Sequence, residues 1–196
     1  YRAAGAGGVE VVFREEIGAH DLAVVEAADP GELAAWIAGY AGSPVDLGGM
    51  EEVLAGYTSR GFRCFAVDRI RVSGERSVEP LVYEFDSPFL YYPLAISSTL
   101  PGEVSVTLFA VSEEPVSGAD LAGTPLSVAL YEGPGVKEPI QLRLSSSELG
   151  RIHLRLADMF PEGAWLTALE YRGAASALRG DLEVGGGQAG PADLQV

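Results

Sequence analysis

The chain has 196 residues, with 13 Lys plus Arg against 28 Asp plus Glu and a formal charge of −15. A length of this order fits one domain or two small ones and buries roughly 70% of the surface the unfolded chain exposes. With 47% hydrophobic and 21% charged residues it is globular rather than disordered, and no apolar run approaches the ~20 residues of a membrane-spanning helix.

Acid is spread evenly: residues 1–100 carry 7 basic and 15 acidic groups (7 − 15 = −8), and residues 101–196 carry 6 and 13 (6 − 13 = −7). Without a basic face to displace counterions, nucleic acid is excluded as a partner, and an anionic membrane surface with it. Lys137 is the only lysine and Asn is absent, so the chain holds no Asn-linked glycosylation acceptor. The single Cys64 excludes an intramolecular disulfide. Starting at Tyr1 rather than Met, the chain reads as a trimmed or processed product from which a signal peptide has been removed.

In chain order, residues 1–8 form a Gly/Ala-rich leader. Val9, Val11 and Phe13 alternate with Glu10, Val12 and Arg14 in the period of a strand. A second strand follows at residues 22–27. Asp29, Pro30 and Glu32 then supply an N-cap, a first-turn proline and a carboxylate three residues after the cap, which predicts a helix with Leu33, Trp36, Ile37 and Tyr40 on one face, stopped by Gly42 and Pro44. Met50, Val53, Leu54 and Tyr57 predict a second helix over residues 50–59, with Gly61 as its stop.

Residues 62–72 read as a strand. Further strands are predicted at 81–85, 90–97, 104–112, 126–131, 140–144 and 165–172. Residues 145–160 carry two patterns. Ile152, Leu154 and Leu156 alternate as in a strand, but Ser145 and Glu148 have capping-box spacing and Leu149, Ile152, Leu156 and Met159 form a helical stripe, so the expectation is one late helix. From Gly173 to Val196 the Gly/Ala-rich sequence predicts a linker or tail.

The expected fold is therefore α+β: a mainly antiparallel sheet with two helices inserted in the N-terminal third and one near the C-terminus, forming a single domain over residues 9–172.

Chemistry-bearing residues are few. His20 beside Asp21 could make a base held in one tautomer or begin a metal site, although neighbours on an extended chain point to opposite faces. His153, between Arg151 and Arg155, suits a solvated face. Structural zinc takes four Cys or His ligands, and the chain has three such residues. Cys64 reads as apolar filler. The pairs Glu15-Glu16, Glu51-Glu52 and Glu113-Glu114 lack the spacing of a calcium loop and read as solvated acid. Phe89, Tyr91 and Tyr92, framed by Pro88 and Pro93, could line a ligand or partner groove, against a default of core packing at a sheet edge.

Several short motifs occur in a fixed order: Gly18-Ala19-His20-Asp21, Leu33-x-x-Trp36, Gly39-Tyr40, residues 57–65, Pro80-Leu81, Tyr92-Pro93-Leu94 and Leu166-Thr167. Together they resemble a family of mostly exported or membrane-anchored bacterial and archaeal proteins, the domain of unknown function 2330. The resemblance implies an amino-terminal export signal, a place outside the cytoplasm and often a carboxy-terminal hydrophobic anchor. Many relatives carry cysteines near the mature amino terminus; this chain does not, so no disulfide or metal role carries over. No catalytic residue is implied.

No catalytic, cofactor-binding or metal set is assigned, and no cofactor is expected. His20, Asp21, Phe89, Tyr91 and Tyr92 are the residues singled out. The favoured function is a non-enzymatic extracytoplasmic domain that binds or scaffolds a protein or envelope component. A hydrolase using His20, nearby carboxylates and a divalent cation is the alternative, and a partner-binding module built on Phe89, Tyr91 and Tyr92 is a third reading.

Overall fold

The computed structural model describes residues 8–42, 49–71, 80–85, 87 and 89–185. The leader expected over residues 1–8 lies outside them save for Gly8. The chain divides into two compact units, Tyr1–Pro88 with Gln188–Val196, and Phe89–Gly187.

The first unit is a three-stranded antiparallel sheet with two helices on it. Strands β1 (Val9–Ile17), β2 (His20–Ala27) and β3 (Cys64–Ile70) pair in the order β1-β2-β3. The β1–β2 turn has two residues, Gly18 and Ala19, and places Gly18 at φ 60. Positive φ at Gly18 but not at Ala19 makes it a type II′ turn, whose twist matches the strands it joins.

Helix α1 (Pro30–Ala41) begins as its sequence predicts: Asp29 accepts a hydrogen bond from the Glu32 amide at 2.8 Å, and Gly42 closes the helix in the left-handed region. Helix α2 (Met50–Ser59) follows. Leu33, Leu54 and Tyr57 are buried with Val9, Val25 and Ala27, so the apolar stripes of both helices and one face of the sheet make the core of this unit. The strand expected at 81–85 does not form: these residues take no regular structure, and Val82, Tyr83 and Phe85 are exposed. Among the described residues their apolar alternation has no strand paired with it.

The second unit is built on β10 (Ala164–Ala174), which pairs antiparallel with β5 (Glu103–Ser112), β6 (Ser127–Val128) and β9 (Gln141–Leu144). Between β6 and β9 the chain makes a hairpin of β7 (Leu130–Gly133) and β8 (Val136–Pro139). The strand expected over 90–97 ends early as β4 (Leu90–Tyr92), because Pro93 brings no amide hydrogen to a ladder. Residues Ala95–Thr99 instead form a 3₁₀ turn whose first amide, Ala95 N, donates to Asp181 at 2.9 Å.

The late helix is two helices. Ser145 caps α3 (Ser146–Ile152), and Glu148 Oε2 accepts the Ser145 amide at 2.9 Å to complete the capping box. His153 then takes an extended conformation (φ −158, ψ 133) before α4 (Leu154–Met159). Both patterns in this stretch are thus used: the helical stripe on either side and the extended period at the break.

The segment from Gly173, read as a tail, is structured through Gly185. Gly173 and Ala174 finish β10, and β11 (Leu182–Val184) pairs with β4. Leu178 and Leu182 are buried in the core of this unit with Leu94, Ala110, Val116, Leu121, Leu126 and Leu169. Leu178 and Leu182, with Val184 packed against the same cluster, suffice among many small residues, because each docks on a surface the preceding strands have already ordered. All strand pairings among the described residues are antiparallel, and the class is α+β.

Candidate functional site

Two of the three buried polar side chains among the described residues sit on β2. His20, Asp21 and Thr167 are the buried polar side chains among the described residues, and two of them are adjacent at the start of this strand. Neighbours in a strand face opposite ways, so the two belong to different layers.

Asp21 faces α1. Its backbone register puts Arg69 directly opposite on β3 and Glu16 opposite on β1. Arg14 reaches the same face through a bulge: Val11 pairs with Val25 and Phe13 with Val24, leaving Val12 as an extra residue. Were Val12 paired in regular register instead of bulged, Arg14 would fall opposite Leu22 on the other face of the sheet, since a one-residue slip inverts every side chain beyond it.

The Asp21 side chain is 0% exposed, and its two oxygens are fully engaged. Arg14 donates from Nε to Oδ1 at 3.2 Å and from Nη2 to Oδ2 at 3.1 Å. Arg69 Nη2 also donates to Oδ2, and the Tyr40 hydroxyl shares its one hydrogen between Oδ1 at 2.7 Å and the Asp21 carbonyl at 2.8 Å. Four contacts fill the acceptor capacity of a carboxylate.

Tyr40 is fixed in turn by Trp36, stacked on it with ring centroids 4.8 Å apart, and by the Arg14 and Arg69 guanidiniums, 5.1 and 5.2 Å from its ring centroid. Arg69 closes the circuit by donating from Nη1 to the Tyr40 carbonyl at 3.0 Å.

The electrostatics follow from these contacts. The hydrogen bonds from Arg14 and then Tyr40, aided by Arg69, hold the Asp21 carboxyl well below the usual carboxylate range against the opposing effect of burial. The same bond to Asp21 raises the Arg14 guanidinium. Burial first, and the Asp21 bond second, push the Tyr40 phenol up to about 12. Further along the same face Arg71 pairs with Glu16 at 2.8 Å, so charges alternate across the three strands.

His20 faces the other layer. Its Nδ1 lies 2.6 Å from Asp68 Oδ2, diagonally across the β2–β3 ladder, and its ring is buried. The bond places a hydrogen on Nδ1 and fixes the ring's orientation. Asp68 Oδ1 is buried with no partner among the described residues. Burial and the Asp68 charge raise the Tyr83 phenol, which places that side chain within electrostatic reach of this layer.

An ionised carboxylate with every lone pair occupied and no access for water can neither take up a proton in catalysis nor attack a substrate; it pins two strands and a helix together. The structure therefore does not bring His20 and Asp21 to one site. Arg14, Tyr40, Asp68 and Arg69 are the partners that sequence reasoning missed. The alternation of Asp68, Arg69 and Arg71 along a strand was a visible signal, whereas the Val12 bulge left no mark in the residue pattern.

The remaining residues singled out lie in the second unit. Phe89 and Tyr91 meet edge to face with centroids 6.1 Å apart, and the Tyr91 hydroxyl donates to Asp181 at 2.9 Å, which ties β4 to the segment before β11. Tyr92 alternates to the other face and is 46% exposed. Cys64 is half-buried, with Sγ 3.9 Å from Glu26 Oε1; His153 is exposed at the helix break. Among the described residues no three His, Cys, Asp or Glu side chains converge as a metal-binding group, and no helix is long and apolar enough to cross a membrane.

A family model described as an uncharacterized protein conserved in bacteria (DUF2330) matches residues 2–137, well over half the chain. The chain belongs to this family. No curated protein and no solved structure matches it. The matched span covers all three strands and both helices of the first unit, and with them both buried pairs. Three of the resemblance motifs converge there: the Gly18-Ala19 turn delivers Asp21, and Trp36 and Tyr40 from the first helix close over it.

Proposed function

We propose that the chain is a non-enzymatic domain that binds or scaffolds a protein or envelope component outside the cytoplasm. The observation that carries the non-catalytic half is the saturation of Asp21 by Arg14, Arg69 and Tyr40 on one face while His20 is buried against Asp68 on the other. A hydrolase built on His20 needs the imidazole facing an open site with at least two acids converging on it. Here it is buried, with Asp68 bonded to its Nδ1.

Support for the envelope half comes from the ordered short motifs, whose resemblance to a family of mostly exported or membrane-anchored proteins implies that location. Two experiments test the two halves separately. The full-length gene fused to a reporter active only outside the cytoplasm should give signal, and a reporter that works only inside would contradict the location. A screen of ester, phosphoester and peptide substrates, with and without divalent cations, should show no turnover. Turnover that a folded His20→Gln variant loses would establish the hydrolase instead.

A further inference from the structure

We propose that the free edge of β5 takes an extended segment of a basic partner protein as an added strand, held at its ends by Glu103, Glu113 and Glu114. Naming that partner deepens the binding reading above and rests on it, and the two fail under different measurements.

The edge is the first observation. β5 pairs with β10 over ten consecutive positions, from Glu103 opposite Ala174 to Ser112 opposite Trp165, and with no other strand among the described residues. Every second residue of such a strand turns its N–H and C=O away from the sheet. Apart from the ladder to β10, no hydrogen bond engages the backbone of residues 103–112 among the described residues. Glu103, Ser105, Thr107 and Phe109 are exposed, so the strand is accessible along that length.

Sheets blunt such edges with bulges, prolines, charges or short strands. The other edges of this chain follow that rule. β1 carries the Val12 bulge, β3 holds Asp68 and Arg69, and β4, β6, β7, β8, β9 and β11 are two to four residues long. β5 has none of these devices: its register with β10 is unbroken, and residues 104–112 hold neither proline nor charge.

Charge complementarity selects the occupant. Residues 77–136 contain eight acids and no Lys or Arg. Glu103 stands at one end of β5 and Glu113 and Glu114 just past the other, and none of the three side chains meets a basic group among the described residues. One strand further in on the exposed face, Glu170 and Arg172 lie opposite Thr107 and Ser105 and offset each other. A second copy of the chain is disfavoured, because two β5 strands overlapping in full about a two-fold axis set Glu103 of each beside Glu113 of the other. A segment with Lys or Arg at both ends and apolar residues between meets acid at each end, with Phe109 and Val111 on the face between. Main-chain hydrogen bonds then supply affinity and the end charges supply selection.

The test is backbone NMR of the 196-residue chain titrated with a synthetic peptide as long as β5, in which valine and threonine alternate between lysine pairs at either end. In the free chain, alternate amides of residues 104–112 should exchange rapidly with solvent. With the peptide they should slow by about tenfold or more while the amides of β2 keep their rates. The same peptide with glutamate in place of lysine should bind roughly tenfold more weakly, as should the basic peptide to the triple variant Glu103→Gln, Glu113→Gln, Glu114→Gln with an unchanged circular dichroism spectrum. Glu51→Gln with Glu52→Gln, which removes acids from α2, should bind as the parent does.

Absence of binding overturns the proposal, as does binding that leaves the β5 amides unprotected, equal binding of the acidic peptide, full binding by the triple variant, or an equal loss in the α2 variant. Protection of the β5 amides that rises with protein concentration and needs no peptide would place a second copy on the edge and overturn it too. The substrate screen above tests the non-catalytic reading independently of each of these outcomes.

Discussion

Arg14 reaches the Asp21 carboxylate from the neighbouring strand because Val12, two residues before it, has no partner in β2. The bulge converts an ordinary amphipathic strand into one that changes faces, apolar toward the helices at Val9 and Val11 and basic toward them at Arg14. Deleting Val12 should restore regular pairing and leave Arg14 opposite Ala23, on the same face as Asp21. Arg14→Met should cost about 2 to 4 kcal/mol, read as a lower urea midpoint, because one guanidinium is withdrawn from a buried carboxylate. The deletion, which keeps that guanidinium in place, should cost less than Arg14→Met; an equal or larger loss would show that the bulge itself matters more than the ion pair.

Acid stability should carry the mark of Asp21. Its carboxyl is held below the ordinary range in the fold, so its contribution is present above the unfolded value of about 3.9 and is lost as pH falls through the lowered folded value. Asp21→Asn should cost roughly 2 to 4 kcal/mol at neutral pH by leaving Arg14 and Arg69 without their anion. Its stability should also fall less than the parent's below pH ~4. Parallel pH–stability curves would contradict this.

At the alkaline end the sign reverses. Tyr40, raised to about 12, favours its neutral form in the fold, so its contribution is full below the unfolded value of about 10 and is lost as pH rises through the folded one. Tyr40→Phe should flatten the stability curve above pH ~10 and remove one late-titrating phenol from the ultraviolet titration. At neutral pH the lost hydroxyl should cost about 1 to 2 kcal/mol.

The segment after Gly173 should prove integral to the second unit. Leu178 and Leu182 are buried in its core, so Leu178→Ala should cost about 2 to 5 kcal/mol. Truncation at Tyr171 should leave a chain without a cooperative thermal transition in this unit. A truncated chain that melts like the parent would restore the tail reading.

Much of the fold was legible because local chemistry and tertiary packing agree. Asp29 and Pro30 start α1, the Met50 stripe delimits α2, and Ser145 with Glu148 starts α3. Prediction failed where a single residue decides against its surroundings: Pro93 cuts β4 short, His153 breaks a helix that its stripe would continue, and Val12 inverts a strand that alternation describes as regular. The tail was misread because composition weighs small residues by number, whereas burial depends on where Leu178, Leu182 and Val184 land.

The buried pairs were half legible. Adjacency of His20 and Asp21 drew attention to the right place, and strand periodicity already implied opposite faces. Their partners come from β1, β3 and α1 and lie 7 to 48 residues away in sequence, a separation no local pattern encodes.

The non-catalytic reading turns on whether the Asp21 carboxylate is an ionised, fully occupied structural group. Carboxyl-carbon NMR of the 196-residue chain, followed as pH is lowered, reads this directly. Asp21 should keep its ionised chemical shift until well below the ordinary carboxylate range and change only as the first unit loses its fold. A midpoint near or above the ordinary value of about 3.9 in the folded chain would mean an accessible acid and would contradict the account.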